Sequence, residues 1–439
     1  MKDSYLIHGG KPLKGEVILS GAKNAALKMI IASLLFNEKI ILENVPRIND
    51  VVELLHLIRS LGAKADFIDK NRVEIDPTTL NKNQVDLLHA SKIRVSFMLF
   101  APLLYKFGSC FVSNPGGCRI GARPIDRIVE GMKNLGIIVK YNSRTGYYEA
   151  KMSNKPTGYY RFVKPTHTGS ELLIMLSIFG KNKIVLENCA HEPEIDNLIA
   201  FLNENEARIK KINDRIEIEG VEKLNFNKPF KIISDRNEAI TYISLVLATG
   251  GKIRLSNISF HIGTFINKLK KAGAEIRLEA DSLSLSFTKP LRAVNIETTP
   301  HPGFMTDWQP NWAVLMTQAQ GKSIIHERVF ENRFSYVSEL KKLGAKIKFI
   351  DTKVKNPESF YFFNYKKNKK YSQIIKIEGP VKLHGGALNI ADLRAGASLA
   401  IAALVAEGES VINGVSILER GYEDFVEKVR KLGGEIRKI

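Results

Sequence analysis

The sequence has few cysteines and no long apolar run. Its 439 residues include three cysteines, Cys110, Cys118 and Cys189, with no CxxC pair. An odd count without repeated spacing argues against a disulfide framework and is typical of a reducing compartment. The longest apolar runs, such as residues 95–105, are too short to span a bilayer, and the first residues lack the apolar core of a signal peptide. These absences predict a cytoplasmic protein without membrane contact.

Several ligand-binding motifs are also missing. No HxH or HExxH spacing occurs, so the sequence predicts no metal site. Neither GxxxxGK[ST] nor a strand-linked GxGxxG is present, which argues against a P-loop kinase and a dinucleotide-dependent dehydrogenase. We therefore expect no cofactor, and any phosphate group would have to be held by arginine and lysine side chains.

Acidic residues are under-represented relative to basic ones. The chain has 65 Lys and Arg against 46 Asp and Glu, a formal net charge of +19. Either a nucleic-acid partner or a lysine-rich surface around a site for a small polyanion would explain this excess. The lysines are scattered, with little aromatic interleaving, so the second explanation is favoured. A basic nucleic-acid-binding protein stays as the alternative from another class.

One helix–turn–strand pattern recurs six times along the chain. Its turns are centred at residues 62, 136, 205, 273, 344 and 433, with spacings of 74, 69, 68, 71 and 89. A glycine in five of these turns can adopt the left-handed conformation that ends a helix, and Asn205 is expected to do so in the third. A period of about 70 residues indicates domain-sized assembly rather than an extended solenoid.

Each repeat also contains a uniformly apolar helix, which predicts burial. Six buried helices surrounded by sheets give an α/β (α+β) fold of two three-repeat domains. We expect residues 23–231 to form the first domain, and residues 1–22 with 232–439 to form a discontinuous second one. The N-terminal strands would complete the sheet of the sixth repeat, and a hinged cleft between the domains would exclude water. The predicted helices are 25–36, 95–104, 172–179, 240–248, 312–319 and 397–406.

Residues 113–127, SNPGGCRIGARPIDR, carry the densest set of reactive side chains. Gly116 and Gly117 would permit positive φ and close approach to a ligand. Arg119 and Arg123 could lower the pKa of Cys118 or bind an anion. A lone cysteine in a glycine turn is more often a small apolar residue, so this loop alone does not establish chemistry.

Charged residues also stand where loops meet the apolar helices. Cations at helix N-termini oppose the helix dipole, and a bound anion would resolve that conflict. Simpler readings stay open: Arg333 could pair with Glu327 or Glu331, and His301 could be an ordinary loop residue. Asp235, Asp307 and Asp392 could be N-caps. The charged and polar residues at these positions are Lys23, Asn24, Arg94, Arg236, Asp307, Arg333, Asp392, Arg394 and Arg420.

Seven segments together resemble the UDP-N-acetylglucosamine enolpyruvyl transferases of the EPSP synthase-like family. That resemblance implies an inside-out α/β barrel of two domains. It also implies enolpyruvyl transfer from phosphoenolpyruvate to the 3′-hydroxyl of UDP-N-acetylglucosamine, the first committed step of peptidoglycan synthesis. The segments are SGAKNAAL (20–27), PGGCRIGARPID (115–126), ENCAHEPEI (187–195), HPGFMTDWQ (301–309), VFENRF (329–334), DLRAGASL (392–399) and ERGYE (419–423).

The same resemblance assigns roles to individual residues. Asp307 would take the proton of the sugar hydroxyl, and Cys118, the expected target of fosfomycin, would act as general acid. Lys23 and Arg394 complete the implied catalytic set. The implied phosphoenolpyruvate ligands are Lys23, Arg94, Arg123, Arg333, Arg394 and Arg420. The implied UDP-N-acetylglucosamine ligands are Asn24, Arg94, Arg123, Pro124, Ile125, Asp126, Arg127, Asp307 and Val329.

Two segments depart from the family pattern near the expected nucleotide-sugar site. Residues 165–170 read PTHTGS, and residues 236–241 read RNEAIT. A related transferase with a different nucleotide-sugar acceptor is therefore the alternative within the family. The sister enzyme acting on shikimate 3-phosphate lacks the PGGC loop and has a Gly-Asn-Ala-Gly-Thr signature that is absent here.

Overall fold

The computed structural model describes residues 3–116, 125–351 and 353–439. The strands are β1 (Ser4–His8), β2 (Lys14–Ile18), β3 (Ile40–Glu43), β4 (Lys64–Phe67), β5 (Arg72–Asp76), β6 (Ser109–Ser113), β7 (Ile138–Asn142), β8 (Tyr147–Lys151), β9 (Tyr159–Arg161), β10 (Ile184–Glu187), β11 (Arg208–Ile212), β12 (Arg215–Glu219), β13 (Phe230–Lys231), β14 (Lys252–Ser256), β15 (Glu275–Leu278), β16 (Ser282–Ser286), β17 (Ile296–Glu297), β18 (Gly321–His326), β19 (Lys346–Phe349), β20 (Ile374–Gly379), β21 (Ala387–Asn389), β22 (Glu409–Asn413) and β23 (Glu435–Lys438).

The helices alternate with these strands, and two 3₁₀ segments, Ser33–Leu35 and Arg94–Leu99, adjoin α1 and α4. The helices are α1 (Lys23–Ala32), α2 (Asn49–Ser60), α3 (Leu87–Lys92), α4 (Phe100–Phe107), α5 (Asp126–Asn134), α6 (His167–Ser177), α7 (Pro193–Glu204), α8 (Arg236–Ala248), α9 (Gly263–Ala272), α10 (Gln309–Thr317), α11 (Tyr336–Lys342), α12 (Pro357–Phe360), α13 (Leu393–Val405), α14 (Val415–Leu418) and α15 (Phe425–Lys431).

The described residues form two compact units. The first unit comprises residues 21–116 and 125–233, and the second comprises residues 3–20 and 234–439. Each unit contains three small sheets. The strand orders are β13-β3-β5-β4, β6-β8-β7 and β11-β12-β10-β9 in the first unit, and β15-β16-β14-β2, β17-β18-β20-β19 and β21-β22-β1-β23 in the second.

All six sheets share one topology. In five of them a parallel strand pairs with the first strand of the repeat, and two antiparallel strands follow on its other side. The sheet of β6 has an isolated parallel bridge, Gln84 to Phe111, at the equivalent place. The described chain therefore has six sheets of one pattern, and the expected mixed α/β fold is confirmed.

The helices that the sequence predicts as apolar are buried, because apolar residues on most of their sides favour exclusion from water. All thirteen residues of α8 and all nine of α10 are buried, as are nearly all residues of α1, α6 and α13. The aromatic side chains of Trp308 and Trp312 pack with Phe265 and Phe304 in the core of the second unit. Five of the predicted buried helices are thus confirmed in position, whereas the helix predicted at 95–104 divides between the 3₁₀ segment Arg94–Leu99 and α4.

Local signals end most of the second helices as expected, with one exception. The glycines at residues 62, 136, 273, 344 and 433 all have positive φ. In the third repeat Asn205 keeps a φ of −111°, and the following Glu206 has a φ of 74° instead. The prediction for Asn205 was wrong because its side-chain amide donates to the carbonyl of Phe201, which holds it within the last helical turn.

The N-terminal strands divide between two sheets. Strand β1 pairs with β22 and β23 and completes the sixth repeat, as predicted. Strand β2 instead pairs in parallel with β14 of the fourth repeat, where Leu255 lies opposite Val17. Assigning both strands to the sixth repeat was therefore wrong. No helix among the described residues is both long and apolar enough to cross a bilayer.

Candidate active site

The second compact unit brings three of the predicted catalytic and phosphate-binding residues into direct contact. The carboxylate of Asp307 accepts from Nη2 of Arg333 at 3.0 Å and from Nε of Arg394 at 3.3 Å. Burial alone would raise the pKa of Asp307, but the charges of Arg394 and Arg333 hold it below its ordinary value. Its side chain keeps 23% of its surface exposed, so an ionised carboxylate is accessible to a ligand.

Asp392 fixes the other side of Arg333. Its Oδ1 accepts from Nη1 of Arg333 at 2.7 Å and from the backbone N–H groups of Arg394 and Ala395. Asp392 is thus the N-cap of α13, as the sequence predicted, and also an ion-pair partner 59 residues away from Arg333. The alternative in which Arg333 pairs with Glu327 or Glu331 was wrong, because Nη1 and Nη2 of its guanidinium contact Asp392 and Asp307 instead.

Asp307 does not cap the following helix. Trp308 stands at the N-cap of α10, and no side-chain cap bond is formed there. The capping alternative for Asp307 was therefore wrong: its oxygens are directed to the two guanidinium groups instead. The N-cap prediction for Asp235 is confirmed, since its side chain accepts from Asn237 and Glu238 at the start of α8.

Two buried hydroxyl groups, hydrogen-bonded in series, hold the guanidinium of Arg394. Nη1 of Arg394 donates to the hydroxyl of Tyr422 at 3.2 Å, and that hydroxyl lies 2.8 Å from Oγ1 of Thr241. Thr241 in turn accepts from Nδ2 of Asn311 at 3.0 Å and donates to the carbonyl of Asn237. Since Thr241 has already used its proton, Tyr422 donates to Thr241 and accepts from Arg394.

Glu327 links the segment before Asp307 to the segment before Arg333. Its fully buried carboxylate accepts from Oγ1 of Thr306 at 2.9 Å and from the N–H groups of Val329 and Phe330 at 2.8 and 3.0 Å. Burial raises the pKa of Glu327, and these hydrogen bonds oppose that shift. Glu327 therefore fixes the backbone conformation at the half-buried Val329.

Two other charged residues singled out by the sequence, Arg420 and Arg236, also belong to this unit. Arg420 is half-buried in the turn between α14 and α15. Arg236 is the first residue of α8, is buried, and lies with Nη1 2.9 Å from Nδ1 of His301. The charge of Arg236 also contributes to the low pKa of Asp307. His301 is thus more than a loop residue, because it contacts one of the cations of the site.

In the first compact unit, Lys23 is the first residue of α1 and is buried with Asp50. Nζ of Lys23 lies 2.7 Å from Oδ2 of Asp50, and both side chains are at most 10% exposed. Asn24 follows in the helix and is half-buried. Arg94 begins a 3₁₀ segment, with its guanidinium 5.9 Å from the ring of Phe97.

The other predicted residues of the first unit lie at the start of α5. Ile125 is buried, Asp126 is exposed and Arg127 is half-buried. The carbonyl of Arg127 accepts from the hydroxyl of Tyr160, and burial together with the charge of Arg127 lowers the pKa of Lys164. Cys118, Arg123 and Pro124, like Gly117 and Arg119, lie outside the described residues.

Gly116 precedes those residues, and its φ is not positive. A Cβ on Gly116 would lie 1.7 Å from the carbonyl oxygen of Ser91, so close backbone approach is what requires glycine there. The expectation of positive φ at this residue was therefore wrong.

The EPSP synthase model, described as 3-phosphoshikimate 1-carboxyvinyltransferase, matches residues 7–429. The chain belongs to the EPSP synthase family. Within this family it is 40% identical over 438 residues to the UDP-N-acetylglucosamine 1-carboxyvinyltransferase of Halothermothrix orenii, covering 99% of both chains. It is 36% identical over 434 residues to the protein of that name from Kosmotoga olearia, covering 98% of both.

A solved structure of the EPSP synthase family has the same fold. The crystal structure of the enolpyruvyl transferase NikO from Streptomyces tendae superposes with a TM-score of 0.86 at 22% identity, covering 100% of this chain and 99% of that one. At that level of identity the likeness establishes the fold and not the acceptor.

Sequence reasoning found the charged residues of this EPSP synthase family member but missed their buried supports. Tyr422, Thr241 and Asn311 were not predicted, and Glu327 was considered only as a partner of Arg333. Tyr422 lies within the ERGYE segment two residues after Arg420, which is the only sequence signal pointing to it. Thr241 and Asn311 carry no local signal, because their role depends on contacts between distant parts of the chain. Glu327 bonds the neighbouring N–H groups of Val329 and Phe330, but its link to Thr306 is a distant contact.

Proposed function

We propose that this chain transfers the enolpyruvyl group of phosphoenolpyruvate to the 3′-hydroxyl of UDP-N-acetylglucosamine and releases phosphate. Its curated relatives at 36–40% identity are named for that transfer. The observation that carries the proposal is the group formed by Asp307, Arg333 and Arg394. It offers one accessible, ionised carboxylate beside two buried guanidinium groups, which suits a base acting next to a phosphate-bearing substrate.

The arginines have two consequences for Asp307. They keep it ionised, which a base requires, but by lowering its pKa they also make it a weak base. An arriving phosphate or carboxylate group would compete for the guanidinium of Arg394. Substrate binding would thereby withdraw positive charge from Asp307 and strengthen it as a base when the sugar hydroxyl is present.

The reaction balances as addition followed by elimination. Asp307 takes the proton of the 3′-hydroxyl, the 3′-oxygen of the sugar bonds to C2 of phosphoenolpyruvate, and Cys118 gives a proton to C3. The tetrahedral intermediate then returns a C3 proton to the thiolate of Cys118, the C2–C3 double bond re-forms, and the C2–O bond to phosphate breaks, with the proton held by Asp307 passing to the departing phosphate. In this proposal the cations that bind phosphoenolpyruvate are Lys23, Arg94, Arg123, Arg333, Arg394 and Arg420.

We also propose that the acceptor binds Asn24, Ile125, Asp126, Arg127, Asp307 and Val329, with Arg94, Arg123 and Pro124. The two compact units are taken as the two three-repeat domains. Residues 165–170 and 236–241 depart from the family pattern near the expected nucleotide-sugar site, so the identity of the acceptor is the part of the proposal that most needs a direct test. A different nucleotide sugar, or shikimate 3-phosphate, is the alternative acceptor within the family.

The deciding experiment measures phosphate release from phosphoenolpyruvate with different acceptors. UDP-N-acetylglucosamine should support release, while shikimate 3-phosphate and other nucleotide sugars should not. Cys118→Ala should abolish release, and Cys118→Asp should retain it because a carboxylic acid can still donate the proton. Release with another acceptor only would replace the proposed substrate, and no release with any acceptor would refute the enzyme assignment. Nucleic-acid affinity falling steeply with salt would favour the alternative class.

A further inference from the structure

The fifth repeat differs from the others in the connection between two strands of its sheet. In four other repeats the equivalent antiparallel strands are joined by residues 68–71, 143–146, 213–214 and 279–281. In the fifth, β19 and β20 are joined by residues 350–373. This connection accounts for the long spacing of 89 between the last two turns. A connection of this length inside a compact unit is uncommon and usually has a function.

The described part of this connection lies against the segment 327–333. The backbone N–H of Phe362 donates to the carbonyl of Arg328 at 2.8 Å. In return, Nη2 and Nε of Arg328 donate to the carbonyl of Phe360 at 3.1 and 3.3 Å. The guanidinium carbon of Arg328 lies 3.8 Å from the centre of the Phe360 ring, close enough for a cation–π interaction. Arg328 is therefore held on both its backbone and its side chain.

Two further residues of the connection hold the same segment. Nε2 of Gln373 donates to the carbonyls of Glu327 and Phe330 at 2.8 and 2.9 Å, and the N–H of Glu327 donates to the carbonyl of Gln373. Nζ of Lys369 lies 2.8 Å from Oε2 of Glu331. Each of residues 327, 328, 330 and 331 thus has a polar contact with the connection.

The segment needs outside support because it has no regular structure of its own. Residues 327–335 form neither helix nor strand, yet Val329 and Arg333 lie within them. Ordering a backbone segment costs conformational entropy, so a segment that is ordered before binding spares the ligand that cost. Glu327 transmits the order further, since its carboxylate also holds Thr306, the neighbour of Asp307.

We propose that residues 357–373 act as a brace that positions the segment 327–333 for the acceptor. The positioning residues are Lys369 and Gln373 in the brace and Arg328 in the segment. The identity of the acceptor rests on the proposed function. The aromatic residues of the brace, Tyr361, Phe363, Tyr365 and Tyr371, pack on one another and form its own small core. The contacts of Lys369 and Gln373 are directed instead at residues 327, 330 and 331, and the side chain of Arg328 reaches the brace from that same segment.

The first test compares two lysines of the same exposed run. Lys369→Met removes the contact with Glu331, whereas Lys367→Met removes only a contact with Glu358 inside the connection. We expect Lys369→Met to raise KM for UDP-N-acetylglucosamine about two- to fivefold with kcat unchanged, as for loss of an exposed ion pair. Lys367→Met should match wild type. The double variant Lys369→Glu, Glu331→Lys should restore KM.

The second test uses Arg328. Arg328→Met should raise KM for the acceptor by on the order of tenfold, because the hydrogen bonds to Phe360 and the ring contact are lost together. Arg328→Lys should restore little of it, since an ammonium group cannot reproduce both bonds. Glu297→Gln is the matched control, because Glu297 is the partner of Arg328 outside the connection and should leave KM unchanged.

Hydrogen exchange separates failure of the brace from failure of the proposed function. In wild type the N–H groups of Val329 and Phe330 are bonded to Glu327, and Arg328→Met should speed their exchange whatever the acceptor is. Unchanged exchange together with unchanged KM in Lys369→Met and Arg328→Met would overturn the brace. A wild-type protein inactive with every acceptor, yet showing faster exchange in these variants, would refute only the proposed function.

Discussion

Arg333 holds Asp307 and Asp392 with two nitrogens of one guanidinium group. Nη2 lies 3.0 Å from Asp307 and Nη1 lies 2.7 Å from Asp392, while the arginine side chain is only 1% exposed. One buried cation thus joins the proposed base to the cap of helix α13. The carboxylate of Asp307 is accessible to a ligand, while its position is fixed by Arg333.

Asp307→Asn should remove the base and leave the fold intact. Because a positioned base contributes on the order of 10²–10⁴ in rate, kcat should fall by about that factor. The amide keeps the size of the carboxylate but removes its charge from beside two buried guanidinium groups, so the protein should stay folded with a lower temperature of thermal unfolding. Steady-state phosphate release measures the effect, and Asp281→Asn, at an exposed turn, is the control expected to match wild type. A variant retaining more than about a tenth of wild-type kcat would contradict the role of Asp307.

Acid should destabilise the second compact unit through Asp392. Burial opposes ionisation, but the charge of Arg333 and the bonds from Ala395 and Ser335 hold the pKa of Asp392 below its ordinary value. A lowered folded-state pKa gives stability that is present above the unfolded pKa, about 3.9, and is lost as pH falls through the folded one. Asp392→Asn should therefore lose less stability than wild type between about pH 5 and 3. Parallel acid-unfolding curves of the two proteins would disprove this.

Tyr422→Phe should loosen Arg394 without removing it. The variant loses the acceptor for Nη1 of Arg394 and the donor to Thr241. We expect KM for phosphoenolpyruvate to rise several-fold and the free energy of unfolding to fall by about 1 kcal/mol, the usual value of a buried hydrogen bond. Tyr159→Phe removes a hydroxyl that bonds Glu187 at the surface and serves as the control. An unchanged KM would show that Arg394 does not depend on Tyr422.

His167 should make the first compact unit less stable as pH rises. Burial and the charge of Lys28 oppose protonation of His167, but Glu171, with Glu192 nearby, raises its pKa above the ordinary value. A raised folded-state pKa gives stability that is full below the unfolded pKa of about 6.5 and is lost as pH rises through the folded one. Unfolding of wild type and His167→Gln from pH 5.5 to 9 should show the wild-type advantage shrinking. A constant difference would rule out this titration.

Local signals allowed much of the fold to be predicted. Uniformly apolar runs located the buried helices, and Asp235 and Asp392 marked helix starts because a cap bonds residues two and three positions away. The sheet that β2 joins could not be predicted from the sequence, since it depends on pairing with β14, far along the chain. Strand β1 was assigned correctly, since the N-terminal strands precede the first helix of the chain and β1 does complete the sheet of the sixth repeat.

The site was predicted less completely than the fold. The charged residues stood out because cations at helix N-termini need an explanation. The pairing of Arg333 with Asp392 rather than with Glu331 could not be predicted, because sequence proximity favours the nearer carboxylate whereas the packing of α13 brings the distant one closer. In the structure Glu331 instead contacts Lys369. The role of the long connection depends on this kind of distant contact.

The central claim is the transfer itself, and identifying the product tests it most directly. Phosphoenolpyruvate labelled with ¹³C at C2 is incubated with the enzyme and UDP-N-acetylglucosamine and followed by NMR. We expect the label to appear in an enol ether at the 3′-oxygen of the sugar, with one phosphate released per ether formed. Phosphate without the ether, or an ether formed only on another acceptor, would contradict it.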